Sequence, residues 1–580
     1  MTKPPTRIIV ISIVLLGFLA WSIHVVRWRP FPVVGEQAHD GYQRVSGVVH
    51  VHTTLSDGAA TPDEVIAAAR AAGLKFVVIT DHNNLDAKKW EGYHDGVLVI
   101  VGTEVSTTAG HVLGLGLGIE DPVFRFSGDA RDALDDIETL HGVAFAAHPT
   151  SPRPDFKWSG WDLPGPWGIE VVNGDSQWRA AGWMRLARTL TLYPLNHEYA
   201  LLGSLTSPAD ALARWDEVLK RRPAAALAGA DAHGQIPIRK DRAIRFPSYA
   251  SLFAVARNHV LLSRPLTGDA QVDIPAIVRA LALGRSFVGL DALAPADGFS
   301  FTTGGGPETP RIPWSMGDVV PPEKGLRLRA GGRLPERTRL TLLRDGSALT
   351  GAEGAIDVEV PGPGVYRVEA RLPGWDVPWV ISNPISVFPA ETAKARREAA
   401  AWPAAPPAPP ATRVLDSFDG PTTFHPEFDA SSSMAADVIV PKAGADGSGA
   451  ARIQFRLGAP GPGRPYVWCA LVSREPRNLA GAQGLVFSIR GDRAYRIWVQ
   501  VRDENPASAD DGTEWWFASV RTETEWRRVA VPFATLRSLN PKTDGKLDLD
   551  KVRQLVFVID AGAEKPGTRG TVLIDDLGLY

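Results

Sequence analysis

A single cysteine, Cys469, stands in a chain of 580 residues. It excludes an intramolecular disulfide and a thiolate zinc cluster, so metal ligands have to be His, Asp or Glu. The chain also lacks a charge excess, with 62 Lys and Arg against 65 Asp and Glu and a formal net charge of −3. Without a basic footprint or a Lys/Arg run, no nucleic-acid partner is expected. At 44% hydrophobic and 22% charged residues the composition is globular. The length exceeds one ordinary core, so several domains of roughly 100 to 200 residues are expected.

One long apolar run is present, Ile8 to Val26 (IIVISIVLLGFLAWSIHVV), with Lys3 and Arg7 before it and Arg27 and Arg29 after it. That is about the length needed to cross a bilayer once. No small-x-small cleavage site follows the run, which favours an uncleaved anchor over a signal peptide. Residues 1–29 are therefore expected to form a transmembrane helix, with the soluble body outside the cytoplasm.

From Ser46 to about Gly289, apolar β-branched runs alternate with helical stretches, the pattern of parallel strands joined by crossover helices. Val48 to Val51 reads as a first strand, and Thr61-Pro62-Asp63-Glu64 combines an N-cap, an N1 proline and a capping-box glutamate. Further strands are predicted at Lys75–Thr80, Val97–Val101, His111–Leu117, Val143–Ala147, Ile169–Val172 and Ala224–Ala228. Helices are predicted at Asp129–Leu140 and from Ser207-Pro208 through Lys220.

Polar residues follow these strands. His50, His52 and Asp57 come after the first, Asp81 and His82 after the second and Glu104 after the third; His148 and the pair Asp231 and His233 follow later ones. His50 and His52, spaced i, i+2, are expected on one face where they can grip one ion. Singly, a His before a turn is more often structural and a strand-terminal Asp more often an N-cap. A ring of them at the carboxyl end of a β/α barrel has no structural need unless they share a cation.

The segments HVHTTLSDG, ITDHNN, GTE, AAHPT and GADAHG, in this order, resemble the motifs of the PHP (polymerase and histidinol phosphatase) superfamily of metallohydrolases over about residues 46–290. GTEVSTTAGHVLGLG resembles in addition the carbaryl-hydrolase-like branch. The resemblance implies a distorted seven-stranded β/α (TIM-like) barrel with two or three divalent ions. His50, His52 and Asp231 would hold one ion and Glu104 would bridge it to a second held by His148. Asp57, His82 and His233 would complete a third position. His111 is a further ligand candidate for the second ion, or a solvated histidine at a strand edge. Asp81 is expected to orient a histidine through its ring N–H. Zn²⁺, Mn²⁺ and Fe²⁺ suit such sites alike. Glu104, His50 and Asp231 are the catalytic candidates.

Such a cluster acidifies a bridging water toward a pKa of roughly 7, so the chain is expected to be a hydrolase, most of all of phosphoesters. Carboxylic or carbamic esters are the alternative, and a non-catalytic glycan-binding surface protein with structural metals is a second one. The substrate is expected to be a small-molecule or glycan-linked ester. Arg153 and Lys157 either meet an anionic substrate group or are solvated, the second being favoured slightly. Trp158, Trp161 and Trp167 either wall a pocket or staple a long loop. Asn173 either reaches the cleft or marks a turn. Arg285 faces the site or caps the barrel.

From about Phe299, short β runs split by Gly/Pro turns suggest a small β-sandwich over 299–396. Ala399 to Thr412 (AAAWPAAPPAPPAT) reads as an extended linker, placed at 397–412. Residues 413–580 alternate again, and VLDSFDG, LVFSIRGD, WRRVAVPF and VLIDDLGLY resemble a galactose-binding-like jelly roll. That resemblance implies possible carbohydrate binding. Trp515 and Trp516 beside Glu514 offer a stacking platform, although alternation turns one of the pair inward. Asp416 and Asp576 are candidates for a structural Ca²⁺.

Overall fold

The computed structural model describes residues 16–17, 20–37, 40–118, 126–239, 242–304, 313–402, 407–461, 466–507, 511–538, 540 and 542–580. Two compact units result, one built from 1–119 and 128–403, the other from 120–127 and 404–580.

The first unit begins with strand β1 (Gln43–Val51) and helix α1 (Pro62–Ala71), whose capping box is formed: Glu64 N–H donates to Thr61 Oγ1 and Thr61 N–H to the Glu64 carboxylate. Then come β2 (Phe76–Ile79), β3 (Val97–Val101), β4 (Thr103–Thr107) and β5 (Gly110–Leu115). Asp129 caps α2 (Ala130–Thr139), which leads to β6 (Val143–Ala146) and β7 (Gly168–Asn173). Three helices, α3 (Gly174–Ala180), α4 (Trp183–Leu192) and α5 (His197–Leu202), precede the crossover helix α6 (Ala209–Arg221) and β8 (Ala226–Ala232).

β1 pairs in parallel with β2 and β8, β2 with β3, and β7 with both β6 and β8. β4 continues β3 and is antiparallel to β5, which is antiparallel to β6. Taking β3 and β4 as one bent strand, seven strands close the barrel, and β5 is the one that runs backwards. The His111 stretch, expected as one of the parallel strands, is therefore antiparallel. Its first residues, not its last, lie at the face where the other strands end. Alternate residues of β1 to β3 enter two buried clusters: Val49, Val78 and Ile100 in one, Val48, Val77 and Val99 in the other.

Helix α7 (Tyr249–Val255), strand β9 (Arg257–Leu262), helix α8 (Ala270–Leu283) and strand β10 (Ser286–Gly289) follow. β9 pairs antiparallel with β1 and β10, and β10 with β11 (Val380–Ser382) of the following β segment. Phe287, Phe299, Tyr366 and Trp379 share one core, so this small β-layer continues the barrel sheet. Arg285, one of whose readings faced the active site, instead pairs with Asp318 at 3.1 Å. A helix at Ala390–Ala400 occupies the first residues of the expected extended tract; 403–406 lie outside the described residues.

Most of the apolar run Ile8–Val26 also lies outside the described residues, and among the described residues no helix is long and apolar enough to cross a membrane. Its C-terminal end is helical at 20–27. Val25 is buried with Leu192 and Ala200, and Asn196 Nδ2 donates to the carbonyls of Val25 and Trp28 at 3.1 and 3.2 Å.

The second unit is a β-sandwich. One sheet is centred on Arg569–Leu579, paired with Ala450–Arg456 and Gly484–Gly491; the other runs Phe424–Phe428, Trp468–Ser473, Val552–Asp560, Arg496–Glu504 and Thr513–Arg521. Trp516 faces inward and is nearly buried, Trp515 is 38% exposed, and Cys469 is buried and free. Among the described residues no group of three or more ligand-type side chains includes Asp416 or Asp576.

Candidate metal centre

The chain bends sharply where it presents its first ligand. β1 carries an extra residue against β2 between Val48 and Val51, and β8 carries one against β1 between Gly229 and Ala232. His50 and Asp231 sit in these bulges with φ of 67° and 48°, and His148 has φ 29°. Such backbone costs of order 1–3 kcal/mol per residue and concentrates at functional sites. Bulges re-aim side chains. His50 and His52 therefore converge through a bulge and a turn, not through the simple period of two that their spacing suggested.

Glu104, buried at the β3–β4 bend, is the hub. Its Oε1 lies 2.7 Å from both His111 Nδ1 and His148 Nε2. Its Oε2 lies 3.1 Å from Nε2 of His50 and of His52, and 3.4 Å from His82 Nδ1. Asp231 Oδ1 is 3.4 Å from His50 Nε2, His52 Nε2 and His233 Nδ1. Toward the rim, Asp57 Oδ2 is 3.2 Å from His233 Nε2 and 3.7 Å from His82 Nε2, while its Oδ1 is 3.5 Å from His52 Nδ1. The structure thus brings together all nine residues singled out in the sequence.

Three overlapping groups have the spacing to hold ions: His50, His52, Glu104 and Asp231; His52, Asp57, His82 and His233; and His82, Glu104 and His111, beside His148. Nε2 of His50, both ring nitrogens of His52 and Nδ1 of His82 are buried without hydrogen-bond partners. Unsatisfied buried imidazoles are costly, and carboxylate oxygens converging on them are what divalent cations neutralise. The residues present fit such ions.

Charges follow from this crowding. Burial pushes the Glu104 carboxyl up, but the charge of His50 and hydrogen bonds from His111 and His148 outweigh it and hold it well below the usual range. Asp231 is likewise held low, against burial, by His50, His52 and His233. Burial lowers His148, yet Glu104 and Asp231 lift it to about 9; Asp57 and Asp231 lift His233, also against burial, to about 9. In His82, burial and the charge of His52 win over Glu104, and its pKa falls.

Outside the cluster, Glu170 was missed. Its Oε1 meets His50 Nδ1 at 2.8 Å, and its Oε2 accepts from the His148 backbone N–H at 2.5 Å and from Asn173 Nδ2 at 2.9 Å. The signal was a lone carboxylate in the apolar run GIEVVN, where a buried charge requires a partner. Asp81 does not orient a histidine as expected. It accepts from Thr53 N–H and Oγ1, both at 2.7 Å, and Ser56 Oγ at 2.6 Å, pinning the turn after His52. The turn's own N–H and hydroxyls reach it first, and the ring-orienting part falls to Glu170 and to the carbonyls of Phe156 and Asp231. Asn173 is the N-cap of α3 through Ser176 N–H and donates to Asp231 Oδ2 at 3.1 Å, so it supports the cluster from behind Asp231 and is not among the residues that line the cleft.

A cleft of about 780 Å³ opens above the cluster, and its walls include Ser151, Arg153, Phe156, Arg179 and Arg245. Arg153, favoured above as a solvated residue, lies on that wall over the Phe156 ring at 4.9 Å, while Lys157 is not among the lining residues. The tryptophans are not there either. Trp158 and Trp167 are fully buried edge to face, and Arg222 covers Trp167 at 4.1 Å. They staple the loop.

Residues 49–154 match the profile of the PHP domain. An uncharacterized protein of Methanocaldococcus jannaschii, MJ1587, is 31% identical over 119 residues, covering 18% of this chain and 67% of that protein. The chain belongs to the PHP family. The PHP barrel is that of a metal-dependent hydrolase, and its His/Asp/Glu groups have the spacing to bind the metal. Among solved structures, a two-domain protein of Bacteroides vulgatus containing a predicted PHP-like metal-dependent phosphoesterase is 16% identical, over 61% of this chain and 99% of that one, with a TM-score of 0.29. A family 11 carbohydrate-binding module of Clostridium thermocellum, in complex with a β-1,3-1,4-mixed-linked tetrasaccharide, is 18% identical over 29% of this chain and 94% of that one, with a TM-score of 0.24.

Proposed function

We propose that this chain hydrolyses phosphoesters at the Glu104-centred cluster. The observation that carries this is Arg153: its guanidinium stands on the wall of the cleft that holds Glu104, His111 and His148, stacked on Phe156 and free of a carboxylate partner among the described residues. A planar fork in that place suits the non-bridging oxygens of a phosphoryl group. It argues against the carboxylic or carbamic esters that the carbaryl-hydrolase-like branch would imply.

Bound divalent ions supply an acidified water and positive charge for the ester oxygens. The chain's own residues set the frame. Glu104 and Asp231 stay ionised at neutral pH. Glu170 holds the proton of His50 at Nδ1 and leaves Nε2 directed at Glu104 and Asp231. Asn173 occupies Asp231 Oδ2 and so leaves Oδ1 to the cluster. Phe156 packs edge-on against the His111 ring at 4.7 Å and so helps fix that ring beside Glu104.

The test is turnover of phosphomonoesters, phosphodiesters and carboxylic esters by the full chain supplied with Zn²⁺, Mn²⁺ or Fe²⁺. Arg153→Ala is expected to lower kcat/KM for the phosphoester about tenfold or more, the scale of a lost charge-assisted hydrogen bond. No phosphoester turnover with metal restored, or an Arg153→Ala variant of full activity, overturns the reading.

Two further properties belong to this reading. Attachment to a membrane through the apolar stretch from Ile8, with the body outside the cytoplasm, is supported by the uncharged character of that stretch, whose end at Val25 packs on Leu192 and Ala200; protease accessibility of the body in intact cells and spheroplasts tests it. Glycan binding by the C-terminal unit is supported by the outer face of its sheet, where Trp468 and Trp498 flank the buried Ala470, Val472, Val556 and Val558, beside Trp515 under Arg502. Retention on insoluble polysaccharides, lost in Trp498→Ala, is the expected result.

A further inference from the structure

Behind two of the cluster's residues the barrel opens a second space. It holds about 110 Å³ and is walled by Trp178 of α3, Leu201 of α5, Leu205, Phe246, and Leu252 and Val255 of α7. Trp178 and Phe246 face each other with ring centroids 5.9 Å apart. Asp175, Arg179, Asp231, His233 and Gln235 line both this space and the main cleft. The two are therefore one continuous site, polar where the ester bond would lie and apolar beyond it. One side of the apolar end, Trp178, Leu201 and Leu205, comes from the α3–α5 excursion between β7 and α6, chain that barrel closure does not require; the other side, Phe246, Leu252 and Val255, comes from the segment after β8 and from α7.

We propose that this chamber binds the hydrocarbon part of the substrate, a short alkyl or a single aryl group esterified to the phosphoryl group. The inference rests on the phosphoester reading above and extends it to the group on the other side of the bond. Its size decides the class. A closed cavity of around 150 Å³ lined by aliphatic and aromatic side chains accepts one benzene ring; at about 110 Å³ but open to the main cleft, this chamber has room for a chain of a few carbons or for a ring seated at its mouth, and is too small for a sugar or nucleoside. The polar groups of its lining are already engaged: Ser204 Oγ donates to the Leu201 carbonyl, Arg179 pairs with Asp175, Gln235 Nε2 donates to the Asp57 carbonyl, and Asp231 and His233 belong to the cluster.

The experiment uses binding, so that it does not depend on turnover. Methyl-, propyl-, butyl-, hexyl- and phenylphosphonate, whose C–P bond resists hydrolysis, are titrated calorimetrically into the full chain loaded with Zn²⁺ or Mn²⁺. Affinity is expected to rise roughly fourfold per methylene up to about four carbons, the scale of burying a CH₂, to level off at hexyl, and to be high for phenyl. Leu205→Trp, which fills the chamber from a partly exposed loop, is expected to flatten the series and leave methylphosphonate unchanged. Leu205→Ala is expected to move the plateau to longer chains. A flat series in the unaltered chain, or a gradient that survives in both variants, overturns the chamber while leaving the phosphoester reading intact. If no phosphonate binds, the phosphoester reading itself fails, and the chamber as its subsite with it.

Discussion

Glu170 Oε1 lies 2.8 Å from Nδ1 of His50, with both side chains fully buried. That one contact fixes which imidazole nitrogen faces the cluster. Glu170→Gln keeps the shape and removes the charge that raises ligand basicity. It is expected to weaken metal affinity about 10- to 100-fold with an unchanged far-UV spectrum. Competition with a chromophoric chelator measures it, and an affinity equal to that of the parent chain would remove Glu170 from the site's support.

Gly229 is glycine because Glu170 stands where its side chain would be. A Cβ there would come 1.4 Å from Glu170 Oε1 and 3.0 Å from the Cβ of His50. Gly229→Ala must push Glu170 aside, with an expected cost of about 1–3 kcal/mol in stability and a metal affinity as weak as that of Glu170→Gln. Thermal unfolding with and without metal separates the two effects. Normal stability and affinity together would contradict the close approach.

How much of this was legible depended on where the information sat. The capping box of α1 and the all-buried run of β3 declare themselves locally, and the ligand-type residues appear as punctuation after apolar runs. The reversal of β5 was not legible, because HVLGLGL has the same composition in either direction and only its pairing with β4 and β6 sets its sense. Glu170 and Asp81 were confused for a related reason. Asp81 sits beside a histidine in sequence while its partners are Thr53 and Ser56. Glu170 is 120 residues from His50 along the chain and in contact with it in space. The sequence left the tryptophans open between pocket and staple and leaned slightly toward a solvated Arg153, because burial in a long loop follows tertiary packing, which periodicity does not encode.

Glu104→Gln tests the hub. The amide keeps the volume but cannot serve two groups of imidazoles through two anionic oxygens. Metal content by mass spectrometry is expected to fall by at least one equivalent per chain, and kcat by about 10²-fold or more, on the scale of losing a fixed electrostatic group at a reacting centre. Full metal content and full rate would remove Glu104 from the bridging position.

The pH dependence has opposite signs in the two states of the protein. Without metal, His148 and His233 have pKa values near 9, above the unfolded value of 6.5. Their contribution to stability is fully present below about pH 6.5 and is lost as pH rises through about 9. Glu104, held low, contributes above its unfolded value near 4.5 and is lost only in acid. The melting temperature of the metal-free chain is therefore expected to fall between pH 6.5 and 9. Metal affinity is expected to rise over the same window, because the ions displace those protons. Calorimetry at pH 7.5 in two buffers of different ionisation enthalpy should show proton release on metal binding; zero release would contradict the raised histidines.

The three groups of ligands differ in access, and that sets the order of metal loss. The side chain of Asp57 is 54% exposed and those of His82 and His233 are 22% exposed, whereas those of His50, His52 and Glu104 are at most 1% exposed. A rim group built on an exposed carboxylate is screened by water and opens without disturbing the barrel; the buried group requires β1 and β8 to part. Chelation is expected to proceed in two phases, with one equivalent leaving first and the remainder more slowly. Asp57→Asn is expected to abolish the fast phase and leave the slow one unchanged. Stopped-flow with a fluorescent chelator resolves the two, and a single phase in the unaltered chain, or an unchanged fast phase in Asp57→Asn, would show that the ions are held as one unit and not as a rim ion over a buried pair.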